Sequence, residues 1–92
     1  MTLSDFQAHK ARMMQDPAFA AEYEAMAAQY ELARQVISAR LDKGLTQRQL
    51  AALVGTSQAN ISKLEHAELN PSLDFVQKVA GGLGKKLAVI LE

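Results

Sequence analysis

The chain has 92 residues, no cysteine and a formal net charge of 0, and 49% of its residues are hydrophobic. This length predicts one compact domain with an extension, and the lack of cysteine excludes a disulfide framework and a thiolate metal site. No apolar run approaches the ~18 residues of a membrane span and the first residues lack a signal-peptide pattern, so we expect a cytoplasmic protein with no membrane partner.

The charges are unevenly distributed along the chain. Residues 1–39 carry three Lys/Arg against five Asp/Glu, whereas residues 40–92 carry seven against five. A mildly basic C-terminal part is compatible with DNA, because proteins bind DNA largely by neutralising phosphates. An acidic N-terminal part would face away from DNA or towards a basic partner.

Capping residues and apolar periodicity predict an all-α fold of five helices with a short C-terminal strand. The first helix is expected over residues 3–15. Asp16 and Pro17 then combine a capping carboxylate with a proline in the first turn, which begins a second helix. Gly44 ends that helix. No glycine or proline interrupts the apolar stripe after Pro17, and the count of five takes residues 17–43 as one helix. The sequence nevertheless leaves open whether these residues form one helix or two.

The segment Gln47–Leu64 fits the constraints of a helix-turn-helix pair. Ala51 is small where two helices cross closely, and Gly55 supplies the positive φ that the turn needs. An inner apolar face would hold the two helices together; it consists of Leu50, Val54, Ile61 and Leu64. The segment has no acidic residue. Its outward polar residues are donors of the kind that contact bases and phosphates, namely Gln47, Arg48, Ser57, Gln58, Asn60 and Lys63, with the small Ala59 placed to meet a thymine methyl group.

The stretch GLTQRQLAALVGTSQANISKLE resembles the phage-repressor (Xre/Cro-type) helix-turn-helix domains, and the similarity extends from about Tyr30 to Leu83. The resemblance implies a lambda-repressor-like domain over residues 30–84. In that fold the helix that begins near Ser57 enters the major groove of DNA.

The same resemblance assigns roles to individual side chains. It implies base contacts by Ser57 and Gln58, with Lys63 further along the same face, and a phosphate contact by Gln47. Asn60 could contact either a base or a phosphate. It also implies that Arg40 and Glu65 form a buried ion pair that joins an earlier helix to the DNA-reading helix.

The flanking segments resemble HigA-type antitoxins, through D-P-A-F with a following Y-E before the domain and P-S-L with a later L-G-K-K-L after it. This resemblance implies an antitoxin that neutralises a RelE/HigB-like mRNA-cleaving toxin and represses its own operon. A stand-alone repressor without a toxin partner is the alternative. A helical scaffold that does not bind DNA would require the central motif to be a coincidence.

Residues 1–29 are expected to form a helical extension with two possible roles for its apolar side chains. They could pack onto the core of the domain, or they could anchor a partner toxin as a helix seated in a groove. We expect the second role, and the anchors would be Phe6, Met13, Phe19 and Tyr23.

The apolar, β-branched ending over residues 85–92 has the composition of a strand. A strand with no partner in its own chain would pair with the same strand of a second copy. We therefore expect a homodimer that reads a palindromic operator.

Catalysis is not expected. His9 and His66 are the only histidines and are far apart in the sequence, and no phosphate-binding loop is present. The carboxylates of the second half lack the spacing of a metal loop. The sequence therefore predicts no catalytic residue, no metal site and no cofactor.

Overall fold

The computed structural model describes the backbone of residues 3–92, and the side chains of Asp5 and of residues 7–92. Over this range the chain is all-helical, with six helices and no strand. The helices are α1 Leu3–Met13, α2 Pro17–Ala25, α3 Ala27–Asp42, α4 Gln47–Val54, α5 Gln58–Glu65 and α6 Leu73–Gly82. Within the described range, none of them combines the length and apolar character needed to cross a membrane.

The prediction of five helices is wrong because the helical segment after Pro17 breaks at Met26, which has φ −104° and ψ 2°. The break brings the rings of Tyr23 and Tyr30 to 5.4 Å between centroids. Residues seven apart on a straight helix are separated by a rise of ~10 Å, so an unbroken helix would keep these rings further apart. The Tyr30 hydroxyl also donates to Met26 Sδ at 3.6 Å. These side-chain contacts stabilise the bend.

Four helices begin at an N-cap residue whose side chain accepts a backbone N–H of the first turn, and Asp16 is the cap predicted above. The caps and the backbone N–H groups they accept are Asp16 with Ala18, Thr46 with Gln49, Ser57 with Asn60, and Ser72 with Phe75. Thr46 also completes the reciprocal capping box, because its own backbone N–H donates to Gln49 Oε1 at 2.9 Å. The first turns of α2, α4, α5 and α6 are thus fixed by local side chains.

The hydrophobic core lies among α3–α6. Its buried members are Val36, Leu50, Ala51, Ile61, Leu64, Val79 and Leu83. No described side chain of α1 or α2 is buried. The four later helices therefore form one packed unit that holds α4 against α5, while α1 and α2 lie outside its core.

The predicted C-terminal strand over residues 85–92 is absent from the structure. A strand needs a neighbour for its backbone donors and acceptors, and no extended segment within residues 3–92 supplies one. Leu87 is half-buried beside a groove of about 490 Å³ between α3 and α6. Val89, Ile90 and Leu91 are 65%, 79% and 95% exposed. The single chain thus ends in an exposed apolar segment.

Candidate nucleic-acid interface

The turn between α4 and α5 is built from the residues that the motif predicts. Gly55 ends α4 with φ 79°, in the left-handed region that a side chain disfavours. Ser57 then caps α5 by accepting the Asn60 N–H at 3.1 Å. At the helix crossing, Leu50 and Ile61 are fully buried. The start of α5 is therefore held at a fixed angle to α4.

The outward side of this helix pair is polar and free of carboxylates. Five of the predicted DNA-contacting residues are exposed: Arg48, Ser57, Gln58, Ala59 and Lys63. They present one guanidinium, one ammonium, an amide, a hydroxyl and a methyl group, which together match the donors and apolar contacts found at DNA bases and phosphates.

Arg40 and Glu65 form the ion pair that the resemblance implies. Arg40 Nε donates to Glu65 Oε2 at 2.6 Å and Arg40 Nη2 donates to Glu65 Oε1 at 2.9 Å, a bidentate contact. Their side chains are only 12% and 4% exposed. The hydrogen bonds to Glu65 raise the pKa of the Arg40 guanidinium above its ordinary value, while partial burial acts in the opposite direction. The pair joins the end of α3 to the end of α5.

Gln47, for which the sequence predicts a phosphate contact, is not fully exposed and has a partner within the protein. Its Nε2 donates to Glu65 Oε1 at 3.1 Å, and its side chain is half-buried. Arg40 Nη1 in addition donates to the Leu45 carbonyl at 2.9 Å, in the loop before α4. Sequence reasoning missed the contact of Gln47 with Glu65, because the two residues belong to different helices and no local spacing signals it.

Asn60 is also partly engaged within the protein. Its Nδ2 donates to Thr56 Oγ1 at 3.0 Å, which ties the first turn of α5 to the preceding loop. The side chain is half-buried. A contact from Asn60 to DNA would therefore have to use the second amide hydrogen or the amide oxygen.

An open depression of about 660 Å³ lies where α4 and α5 begin. It brings together three of the predicted DNA-contacting residues, Gln47, Arg48 and Gln58, and Arg40 also lines it. The depression is lined further by Leu41, Gly44, Leu45 and Thr46. Residues that are distant in the sequence thus meet on one surface.

The turn that follows α5 contains an unusual residue. Ala67 has φ 56°, the only positive φ of a non-glycine residue in the described chain, and it is 7% exposed. The Glu68 N–H donates to the Lys63 carbonyl at 2.9 Å across this turn. Glycine is usual at such a position, so the left-handed backbone of Ala67 carries a side chain that this conformation disfavours.

The predicted partner-binding residues lie on α1 and α2, and the predicted DNA-contacting residues lie on or next to α4 and α5. Met13 is 37% exposed, and Phe19 and Tyr23 are half-buried with their ring centroids 6.2 Å apart. The Lys10 ammonium lies 4.4 Å from the centroid of the Tyr23 ring, a cation–π contact between α1 and α2 that the sequence did not predict. The side chain of Phe6 lies outside the described residues.

The titratable groups show no constellation of a metal centre within the described residues, where no group of three His, Cys, Asp or Glu side chains is placed to hold an ion. His66 Nδ1 lies 2.7 Å from the Ser62 carbonyl oxygen, within its own helical turn. The His66 side chain therefore contacts the backbone at the C-terminal end of α5.

Comparison with known proteins covers both the interface and the flanks. A helix-turn-helix family model (HTH_3) matches residues 36–90. A curated "Uncharacterized HTH-type transcriptional regulator" from Haemophilus influenzae is 34% identical over 59 residues, which is 64% of this chain but only 60% of the relative's length. A solved chain from a toxin–antitoxin module of Streptococcus pneumoniae is 31% identical with a TM-score of 0.58, and the match covers 94% of this chain and 90% of that one.

Proposed function

The chain belongs to the helix-turn-helix family, and from that premise we propose that it is an antitoxin of the HigA type. In this proposal a dimer binds operator DNA, represses its own operon and neutralises a RelE/HigB-like mRNA-cleaving toxin. The observation that carries the DNA-binding part is the exposed donor face of α5, fixed to the core by the Arg40–Glu65 pair.

The DNA contacts are proposed in two groups. Ser57, Gln58 and Ala59 stand at the exposed start of α5, the part of a recognition helix that meets base edges in the major groove. Arg48 and Lys63 are the exposed cations of the same face and would neutralise phosphates. Gln47 and Asn60 would contribute with the hydrogens that their internal bonds leave unused.

The toxin-binding part of the proposal concerns residues 1–29. A structural match over 94% of the chain necessarily includes most of this segment, and the matched protein is described as part of a toxin–antitoxin module. The segment carries Lys10 and Arg12 against four carboxylates. An mRNA-cleaving toxin has to hold RNA and is expected to be basic, so charge complementarity would speed association.

The alternative function is a stand-alone repressor without a toxin. The curated relative supports it, since that protein is named only as a transcriptional regulator. Under this alternative α1 and α2 would have no protein partner, and their aromatic side chains would serve only to hold the two helices together.

Footprinting on the DNA upstream of the chain's own reading frame tests the repressor. We expect protection of two half-sites about 34 Å apart, one helical turn of DNA. Protection of a single short site would contradict the dimer, and the absence of any sequence-specific protection would contradict the repressor.

Co-expression with each reading frame adjacent to the gene tests the antitoxin. We expect one neighbour to arrest growth when it is expressed alone, to be harmless when it is co-expressed with this chain, and to co-purify with it. If no neighbour arrests growth or binds the chain, while the upstream DNA is still bound, the stand-alone repressor is the correct reading.

A further inference from the structure

We infer that Glu65 is a positioning residue for Gln47: it holds the Gln47 amide at the DNA face so that the remaining amide hydrogen can donate to a backbone phosphate. The inference rests on the proposed DNA-binding function. It gives the Arg40–Glu65 pair a role at the interface in addition to its role in the fold.

The geometry of the carboxylate supports this inference. Glu65 accepts three hydrogen bonds, two from Arg40 and one from Gln47, and two of them share Oε1. Arg40 is itself fixed by its bond to the Leu45 carbonyl. The Glu65 carboxylate that accepts from Gln47 is thus held by Arg40 of α3, which is itself bound to the loop before α4. Its position is therefore fixed in the protein without DNA.

Gln47 has one amide hydrogen to spare. A glutamine amide carries two N–H donors, and the Nε2 atom of Gln47 uses one of them on Glu65. The side chain is half-buried and lines the open depression together with Arg48 and Gln58. The second amide hydrogen of Gln47 therefore belongs to the same surface as Gln58, a predicted base-reading residue, and Arg48, a predicted phosphate-binding residue.

Holding the amide in advance matters because of side-chain entropy. Glutamine is among the side chains that lose most rotamer freedom when they are fixed. A glutamine that is already ordered does not incur this loss when DNA binds, so the same contact gives a tighter complex.

A double-mutant cycle on DNA affinity tests the coupling. Glu65→Asp keeps the charge but withdraws the carboxylate by one methylene, so it cannot serve Arg40 and Gln47 at their present distances together. It is combined with Gln47→Ala and, as a matched control, with Gln49→Ala. Gln49 lies on the same helix, but its side chain accepts the Thr46 N–H at 2.9 Å and serves the start of α4 instead of Glu65.

We expect Glu65→Asp and Gln47→Ala each to weaken binding to the footprinted DNA about tenfold, the effect of one hydrogen bond. The double variant should be little weaker than either single variant, whereas the effects of Glu65→Asp and Gln49→Ala should multiply. Multiplying effects in the Gln47 cycle, or wild-type affinity of Glu65→Asp, would overturn the inference. Failure of the wild type to bind its upstream DNA would instead count against the proposed function.

A measurement on the wild-type protein keeps the inference testable if Glu65→Asp does not fold. Nitrogen-15 relaxation of the Gln47 side-chain amide should show a rigid group in the free protein and in the DNA complex. A Gln47 amide that is as mobile as that of exposed Gln58 in the free protein would overturn it.

Discussion

Gly82 lies so close to Val54 that a Cβ atom at Gly82 would stand 2.9 Å from Val54 Cγ2. The same Cβ would be 3.5 Å from Leu50 Cδ1. Gly81, one residue earlier on α6, has no such neighbour within 4 Å. The two adjacent glycines therefore differ: only Gly82 is needed for the close approach of α6 to α4.

Alanine at these two glycines should change stability in opposite directions. Gly81→Ala is expected to stabilise the protein by up to ~1 kcal/mol, because alanine is the better helix former and nothing obstructs it. Gly82→Ala is expected to destabilise it by ~1 kcal/mol or more, because overpacking against Val54 outweighs that gain. Urea unfolding of the two variants measures both effects, and equal stabilisation by both would show that the contact is not constraining.

Removal of the Glu65 carboxylate should be costly. Glu65→Ala leaves the Arg40 guanidinium, which is 12% exposed, without its partner. We expect a loss of ~3 kcal/mol in the free energy of unfolding. Glu31→Ala is the control, since Glu31 pairs with Arg34 on the surface where both side chains are more than half exposed and such pairs contribute little. If both variants unfold at the same denaturant concentration, the Arg40–Glu65 pair does not stabilise the fold.

The two kinds of DNA contact should separate by their dependence on sequence and salt. Gln58→Ala is expected to weaken operator binding by ~1–3 kcal/mol and to relax sequence preference at one position. Lys63→Ala, which removes an exposed cation, should weaken all sequences alike and lower the salt slope by about 1. Titrations at several salt concentrations on the operator and its single-base variants measure both, and unchanged binding by the Gln58/Lys63 double variant would exclude this face.

The exposed apolar segment over residues 86–92, called the tail below, is expected to form the interface of the dimer. An antiparallel pair of tails with Val89 at its two-fold axis would set Lys86 opposite Glu92 of the second copy, so this register is self-complementary. Deletion of residues 86–92 is expected to give a monomer with poor operator affinity by sedimentation and footprinting. Lys86→Glu should weaken the dimer and Lys86→Glu with Glu92→Lys should restore it, whereas a tight dimer of the deleted chain would place the interface on the helices.

The aromatic residues of α2 should matter for toxin binding more than for folding. Phe19→Ala and Tyr23→Ala remove side chains that are outside the core, and each is expected to cost ~2 kcal/mol or more in toxin affinity, as the loss of an anchor does. Leu73→Ala, at a 64% exposed site on α6, is the control. Residues 30–92 alone should fail to co-purify with the toxin, and undiminished capture by this shortened chain would place the toxin on the helix-turn-helix body.

Features fixed by nearby residues were predictable from the sequence. The capping box of Thr46 and Gln49 needs only residues three apart, and Gly55 signals the left-handed turn by its own identity. The Arg40–Glu65 pair was predictable only through resemblance to a family, because nothing in the local sequence joins two residues on different helices.

Features that depend on tertiary packing were not predictable. A helix breaks at Met26 without glycine or proline, and the contact of Tyr23 with Tyr30 that accompanies the bend joins two different helices. The role of Gly82 lies in its missing side chain, which makes room for Val54 of another helix, and no local pattern signals that contact. The tail has the composition of a strand, but a partner for pairing is a property of the assembly and not of the single chain.

The buried and the exposed residues of α5 lie on separate faces, and this separation has a consequence for the divergence of related helix-turn-helix proteins. Ile61, Leu64 and Glu65 face inward and are 0%, 2% and 8% exposed, whereas Gln58 and Lys63 on the same helix face solvent. Under the proposed function, outward substitutions on α5 would change the operator that a duplicated gene product binds, while the buried contacts of this helix stay as they are. Two duplicated regulators would then need only a few codon changes to bind different operators. The unfolding temperature of the two proteins should stay near that of their common ancestor.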